Sequence, residues 1–257
     1  MKSLFMAKSP LMAAAAALVL TLAACGGGGD ANNTGGIAAP SAPVANVAAP
    51  AGQDWTQTVS ATERGFLMGN PNAPVKLVEY ASITCPHCGQ FATEGGSEGI
   101  RSYVRSGRVS WEYRPYMIFP TDPGLFALLR CNGPASFFEL ADQLYGEQQT
   151  WLTRGQTYME ANRSAIEGMD IQTRAATLVR ETGTDAFFRQ RGMTQAQIDQ
   201  CLADPRNLQR VADDTQHAST TDNVSGTPTF FINGTQAPPN TGLWPQLEPL
   251  LRTATGG

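Results

Sequence analysis

The chain changes its hydrophobic rhythm twice. Residues 75–80 are apolar almost throughout, which predicts a strand covered on both faces and central in its sheet. Residues 108–113 put Val109, Trp111 and Tyr113 on one face and predict a second strand; residues 55–59 alternate like a short edge strand, and residues 65–71 read as turn chemistry leading into the 75–80 strand. A helix is predicted from Cys85 toward Tyr103, with Thr84 as its cap and Pro86 in its first turn, although Gly95, Gly96 and Gly99 weaken its middle. From residue 122 to 218 the spacing turns helical. Asp122-Pro123 and Gly133-Pro134 each open a helix, and further helices are predicted over 170–181, 185–191, 194–203 and 204–218, the third of these with a Thr194/Gln197 capping box. Strand pattern returns only at residues 224–234, opened by Pro228 and closed by the turn pair Asn233-Gly234. A last helix over 243–251 has Pro249 out of place in its interior. The expected class is α/β, one sheet interrupted by roughly a hundred helical residues.

The first fifty or so residues follow neither rhythm. Lys2 and Lys8 precede an apolar stretch, 11–22, that is short for a bilayer span, and no acid occurs before Asp30, the pattern of an export signal. It ends in Leu22-Ala23-Ala24-Cys25-Gly26, which resembles the lipobox of bacterial lipoproteins. Residues 1–24 are then the signal peptide and Cys25 the lipidation site, whose acyl chains would hold the protein on a membrane without spanning it. Residues 25–54 consist mainly of Gly, Ala, Pro, Asn and Val, with no aromatic residue and almost no charge, and are expected to form a flexible tether reaching roughly 30 Å.

Composition narrows the partners. At 42% hydrophobic and 16% charged, the chain as a whole is ordinary globular material. Without the two leader lysines, 16 basic residues stand against 22 acidic ones, a net of about −6, and Lys76 is the one lysine left. With no basic patch, nucleic acid is not an expected partner.

The reactive chemistry lies just after the 75–80 strand, in Cys85-Pro86-His87-Cys88. A cysteine at a helix N-terminus meets the helix dipole and free N–H groups, and His87 can add charge or a hydrogen bond. The Cys85 thiol should therefore ionise well below a free thiol. Cys88, one turn further in, should be more buried and should resolve a mixed disulfide. There is no nucleotide loop and no serine-hydrolase elbow, and no cofactor is expected.

These residues, the helical interruption and Gly226-Thr227-Pro228-Thr229-Phe230-Phe231 together resemble the DsbA family of thioredoxin-fold thiol oxidases, from Trp55 to the end. The resemblance implies a thioredoxin-like fold in two pieces, 55–121 and 219–257, with an inserted all-helical domain, 122–218. It implies catalysis by Cys85 and Cys88 and an oxidising pair, since a stable thiolate favours the reduced state. Thr227-Pro228 matches the cis-proline loop that faces the cysteines, where Thr227 backbone groups would pair with an extended substrate. Thr227 is similar to the threonine of the disulfide isomerases, where the best-known oxidases carry valine. Glu79, six residues before Cys85, matches the family's buried acid, a proton relay for Cys88; the plainer reading is a partly exposed strand carboxylate. Cys131 and Cys201 are left over, either two buried thiols or, as the oxidising compartment favours, a structural disulfide of the insertion.

The expected function is that of an envelope enzyme, a protein disulfide oxidoreductase acting mainly as an oxidase. It would pass the Cys85–Cys88 disulfide to exported proteins with free cysteines, as a monomeric, periplasm-facing lipoprotein of a bacterial membrane, with a DsbB-like membrane protein as reoxidant. Disulfide isomerase or reductase stays open because of Thr227. So does a module in which Cys85, His87 and Cys88 bind Cu(I) or Zn²⁺, although three adjacent ligands without a second cluster suit a closed site poorly, and no metal is assigned. His217 is read as a solvated or locally bonded side chain, and Trp55, Trp111, Trp151 and Trp244 as packing.

Overall fold

The computed structural model describes residues 36–257, so the expected signal peptide, Cys25 and the start of the expected tether lie outside the described residues. A single 3-10 turn, Trp55–Gln57, stands where the edge strand was expected, because the Asp54 carboxylate accepts the Thr56 N–H and curls the chain. The strand follows as β1, Val59–Ala61, and the stretch read as a turn contains a second strand, β2, Phe66–Met68. β3, Val75–Ala81, leads into α1, Pro86–Phe91. The glycines then break the helix as their propensity predicts: a turn of π geometry covers Ala92–Gly96, with Gly95 at φ +97°, before α2, Ser97–Arg105, resumes. β4, Val109–Pro115, completes the first half.

The insertion runs through α3, Asp122–Cys131; α4, Phe137–Gly146; α5, Gln148–Ala161; α6, Arg163–Glu167; α7, Ile171–Thr182; α8, Thr184–Gln190; α9, Gln195–Ala203; and α10, Pro205–Thr220. The capping box of Thr194 and Gln197 forms at the start of α9, and Asp204 caps α10. β5, Thr229–Ile232, and β6, Thr235–Gln236, flank the Asn233-Gly234 turn. The last helix, α11, Trp244–Thr255, runs straight on through Pro249, which lies in its second turn and so removes a single i→i−4 bond.

The sheet has the order β1-β2-β4-β3-β5-β6, with β3 parallel to β4 and the other pairs antiparallel. Register aligns Leu77 with Trp111 and Ile232, and Glu79 with Tyr113 and Phe230. These side chains share one face, on which Glu79 is the polar exception. The insertion covers that face: Phe137 stacks on Phe66 with ring centroids 3.8 Å apart, and Phe138 tilts onto Trp111 at 4.6 Å. Burying each such ring is worth on the order of 2–3 kcal/mol. Sheet and insertion therefore share one continuous core.

From Ile37 onward, the stretch expected to be a free tether lies against the domain. Ile37 is buried, the Val44 N–H donates to the Thr255 carbonyl at 2.9 Å, and the Val47 N–H donates to the Ser106 carbonyl at 2.9 Å. The Trp55 indole in turn donates to the Val47 carbonyl at 2.7 Å. Composition misled here because it weighs what the segment can bury by itself, whereas the ends of α2 and α11 supply the partner surface. Gly107 makes the approach possible, since a Cβ there would stand 2.1 Å from the Val47 carbonyl oxygen.

Candidate active site

β3 ends at Ala81, and the next four residues carry the chain to Cys85 at the N-cap of α1, with Pro86 at the first helical position, where its missing N–H costs nothing. Thr84, expected to cap the helix, does not do so: its hydroxyl donates to Asp122 Oδ2 at 2.7 Å instead. Cys85 and Cys88 are both free thiols and both buried, at 4% and 1% exposure. Their thiols diverge. Cys85 is pulled from 9.0 down to about 5, first by the hydrogen bond from Cys88, then by Thr227 and the N–H groups of Cys88 and His87, all against the cost of burial. Cys88 is pushed well above 9.0, chiefly by burial and then by Cys85. One sulfur is thus a ready nucleophile and the other holds its proton.

The Thr227–Pro228 bond is cis, and the Thr227 carbonyl lies 3.4 Å from Cys85 Sγ. The Thr227 hydroxyl is buried with no hydrogen-bond partner in the resting geometry among the described residues, and it lowers Cys85 as the side-chain donor that the thiolate can take up. His87 is exposed, and its contribution to Cys85 is its backbone N–H. His217 stands 3.7 Å from Asp222, a local contact.

Glu79 is 3% exposed, so it is not the partly exposed strand carboxylate of the plainer reading. Burial raises it to about 8, the Trp111 indole N–H donating to Oε2 at 2.9 Å pulls the other way, and Asp142 adds to the rise. Cys88 and Glu79 each raise the phenols of Tyr113 and Tyr145, which burial already holds well up.

Sequence reading missed the residues that hold the loop. Asp122, taken for a helix cap, is wholly buried and accepts from Ile118 N–H at 2.8 Å, Phe119 N–H at 3.1 Å, Ser82 Oγ at 2.9 Å and Thr84 N–H at 3.2 Å, besides the Thr84 hydroxyl. Gln148 donates to the Ile83 and Cys85 carbonyls at 2.8 and 2.9 Å, and the Tyr145 hydroxyl to the Ser82 carbonyl at 3.1 Å. The insertion thus holds the Ser82, Ile83 and Cys85 carbonyls, the Thr84 N–H and the hydroxyls of Ser82 and Thr84. Ser82 and Thr84, polar in an otherwise apolar approach, were the available signal.

Cys131 and Cys201, 70 residues apart, form a disulfide that ties the end of α3 to α9. Among the described residues no three His, Cys, Asp or Glu side chains gather as metal ligands, and the metal-module alternative gains no support from the cysteine pair, whose third neighbour His87 faces solvent. Among the described residues no helix is long and apolar enough to cross a membrane.

The thioredoxin family model matches residues 61–242. A crystal structure of a protein-disulfide isomerase from Novosphingobium aromaticivorans is 31% identical, with a TM-score of 0.68 over 73% of this chain and 96% of that one. The Wolbachia pipientis alpha-DsbA1 structure shares the fold at 16% identity, with a TM-score of 0.58 over 78% of this chain and 96% of that one. A Rickettsia bellii protein with the provisional name protein-disulfide oxidoreductase is 24% identical over 179 residues, 70% of this chain and 61% of its own length. The chain thus spans about three-fifths of that curated relative.

Proposed function

The chain belongs to the thioredoxin family, as a thiol:disulfide oxidoreductase of DsbA type, and on that premise we propose that it is an envelope oxidase. The observation that carries this reading is the split between a Cys85 thiol at about 5 and a Cys88 thiol well above 9.0. A substrate thiolate attacks Cys85 Sγ of the oxidised pair, and the S–S bond breaks with its electrons on Cys88, which takes up a proton. A second substrate thiolate then attacks the substrate sulfur of the mixed disulfide and expels Cys85 as a thiolate. Two substrate thiols lose two electrons and two protons; the enzyme keeps both electrons and one proton, and the other proton is released. Because the released thiolate is stable, the enzyme gives up its disulfide readily. Glu79 is the group that supplies and recovers the Cys88 proton, and the Thr227 carbonyl and the Pro228 turn offer the edge on which an extended substrate pairs.

Substrates on this reading are exported proteins with free cysteines, reoxidation comes from a DsbB-like membrane protein, and the enzyme works as a monomer held by lipid at Cys25. Since the chain is laid on the domain from Ile37, the eleven residues between it and Cys25 let the two stand at most roughly 40 Å apart. Changing Cys25 to Ser should release the protein from the membrane fraction, and separating inner from outer membranes tells whether an inner-membrane reoxidant is within reach.

The deciding measurement is the equilibrium of the pair with glutathione. An oxidase is reduced by modest amounts of reduced glutathione; a pair that stays oxidised against a large excess overturns the proposal. Thr227 and the likeness to the Novosphingobium protein-disulfide isomerase favour a second reading. Faster recovery of activity from a scrambled disulfide protein than from a fully reduced one would select it.

A further inference from the structure

Whatever proton Glu79 gives to Cys88 has to be exchanged with solvent, and Glu79 is almost sealed. Its Oε2 receives the Trp111 N–H, which cannot take a proton from it, and the Tyr113 and Tyr145 hydroxyls are spent on each other at 2.8 Å and on the Ser82 carbonyl. Beside it lies a small, partly open cavity of about 10 Å³, at the lower limit of the room one water molecule needs. Ala92, Ser97 and Asp142 line this cavity, and the same three residues line an open groove on the surface beyond it. They are the partition between Glu79 and solvent.

Of the three, Asp142 alone can carry a proton. It is held across the partition by the Ser97 hydroxyl, which donates to Oδ1 at 2.8 Å, and by Arg101, paired to Oδ2 at 2.6 Å. Arg101 also lies 5.8 Å over the ring of Trp111, the donor to Glu79. Both small side chains of the partition sit at the helix break: Ala92 opens the π turn at Ala92–Gly96, and Ser97 is the first residue of α2.

We propose that Asp142, carried by α4 of the insertion, relays protons between Glu79 and solvent through one water in the cavity between them. The proposal rests on Glu79 serving Cys88 as described above. Asp142 is a positioning and relay residue; it does not touch the reacting sulfurs. The groups that face Glu79 are Trp111 and Tyr113 on β4 and Tyr145 and Asp142 on α4, with Cys88 on α1 acting on the same two tyrosines; those that face Asp142 are Arg101 and Glu98 on α2 and Glu139 on its own helix. Burial raises the Asp142 carboxyl above the usual range, with Arg101 pulling it back, so it can hold a proton in passing.

The test needs no substrate. In a stopped-flow pH jump on the reduced full-length protein, the fluorescence component absent from E79Q reports ionisation of Glu79 beside Trp111. D142N should slow that phase at least ten-fold and lower its midpoint pH, because a neighbouring negative charge is gone; D142E should restore the rate. D142N added to E79Q should change nothing further. A92V, which fills the cavity and leaves Asp142 in place, should slow the phase as well, and it decides the matter if D142N fails to fold. An unchanged rate in D142N or A92V overturns the relay. If that happens while thiol oxidation persists, the oxidoreductase reading stands; loss of thiol oxidation in the wild type with a slowed jump in D142N sinks the reading and not the relay.

Discussion

Replacing Thr227 by valine removes one donor from the Cys85 thiolate and keeps most of the side chain's shape. From 9.0 to about 5, the Cys85 thiol gains roughly 5 kcal/mol of preference for the thiolate. At pH 7 only the span between about 5 and 7 counts toward the redox equilibrium, roughly 3 kcal/mol, or about 60 mV for a two-electron couple. Cys88 is the largest contributor, Thr227 the next, ahead of the backbone N–H groups. A hydrogen bond to a charged acceptor is worth about 1.5 kcal/mol at the low end, apt for sulfur, so T227V should raise the Cys85 pKa by about one pH unit and make the potential about 30 mV less oxidising. The thiolate's ultraviolet absorbance followed against pH gives the first quantity, and equilibration with glutathione the second. The sign also fixes a stability profile. Cys85 ionises below its unfolded value, so the thiolate's contribution to the reduced protein is complete above pH 9 and is lost as pH falls through about 5. In T227V the lower edge of that window should move up by the same unit. An unchanged or lowered Cys85 pKa would refute the assignment of the Thr227 hydroxyl as a thiolate donor.

Two further perturbations probe the groups behind the pair. Glu79 is raised from 4.5 to about 8 on folding, so its neutral form costs nothing below pH 4.5 and stability is lost as pH rises through 8; E79Q should be more stable than wild type by about 3 kcal/mol at pH 7, with the gap closing toward pH 4.5 in denaturant titrations. Replacing Cys131 and Cys201 by serine opens a 70-residue loop and should cost about 4 kcal/mol in the same titrations, while the Cys85 pKa stays unchanged.

What the chain announces in consecutive residues was legible, and what it assembles across distance was not. The apolar run into Cys85-Pro86-His87-Cys88 and the Thr227-Pro228 turn are local chemistry, and both lie where that chemistry puts them. The alternation Val75, Leu77, Glu79 even shows that Glu79 shares a face with core residues. Its partners, Trp111 and Asp142, are set by strand register and by a helix 63 residues on. Asp122 was hidden by ambiguity, because Asp-Pro at a helix start reads as a cap whether or not the carboxylate turns back to another loop. Gln148 gave no signal: α5 and α6 lie in a Gln- and Thr-rich stretch whose periodicity is too weak to read, and they fold because α7 and the active-site loop give them partners. The packed part of the tether was missed for the same reason.

Two carboxylates are buried under this site, and their donors separate their roles. Asp122 receives two backbone N–H groups of the 118–119 turn, the Thr84 N–H and the hydroxyls of Ser82 and Thr84. Burial still raises the Asp122 carboxyl above the usual range, but charge-assisted bonds of this kind, worth roughly 1.5–3 kcal/mol each, take back much of that rise. A proton arriving there would have to break that set, and the Cys85 loop with it. Glu79 receives a single indole N–H, so burial wins and its carboxyl titrates at about 8, within reach of working pH. On the proposed mechanism the acid with many donors holds the loop, and the acid with one donor is the one that changes its charge as Cys88 changes its own. Burial alone does not tell a structural acid from a proton carrier at such a site; the count of donors does.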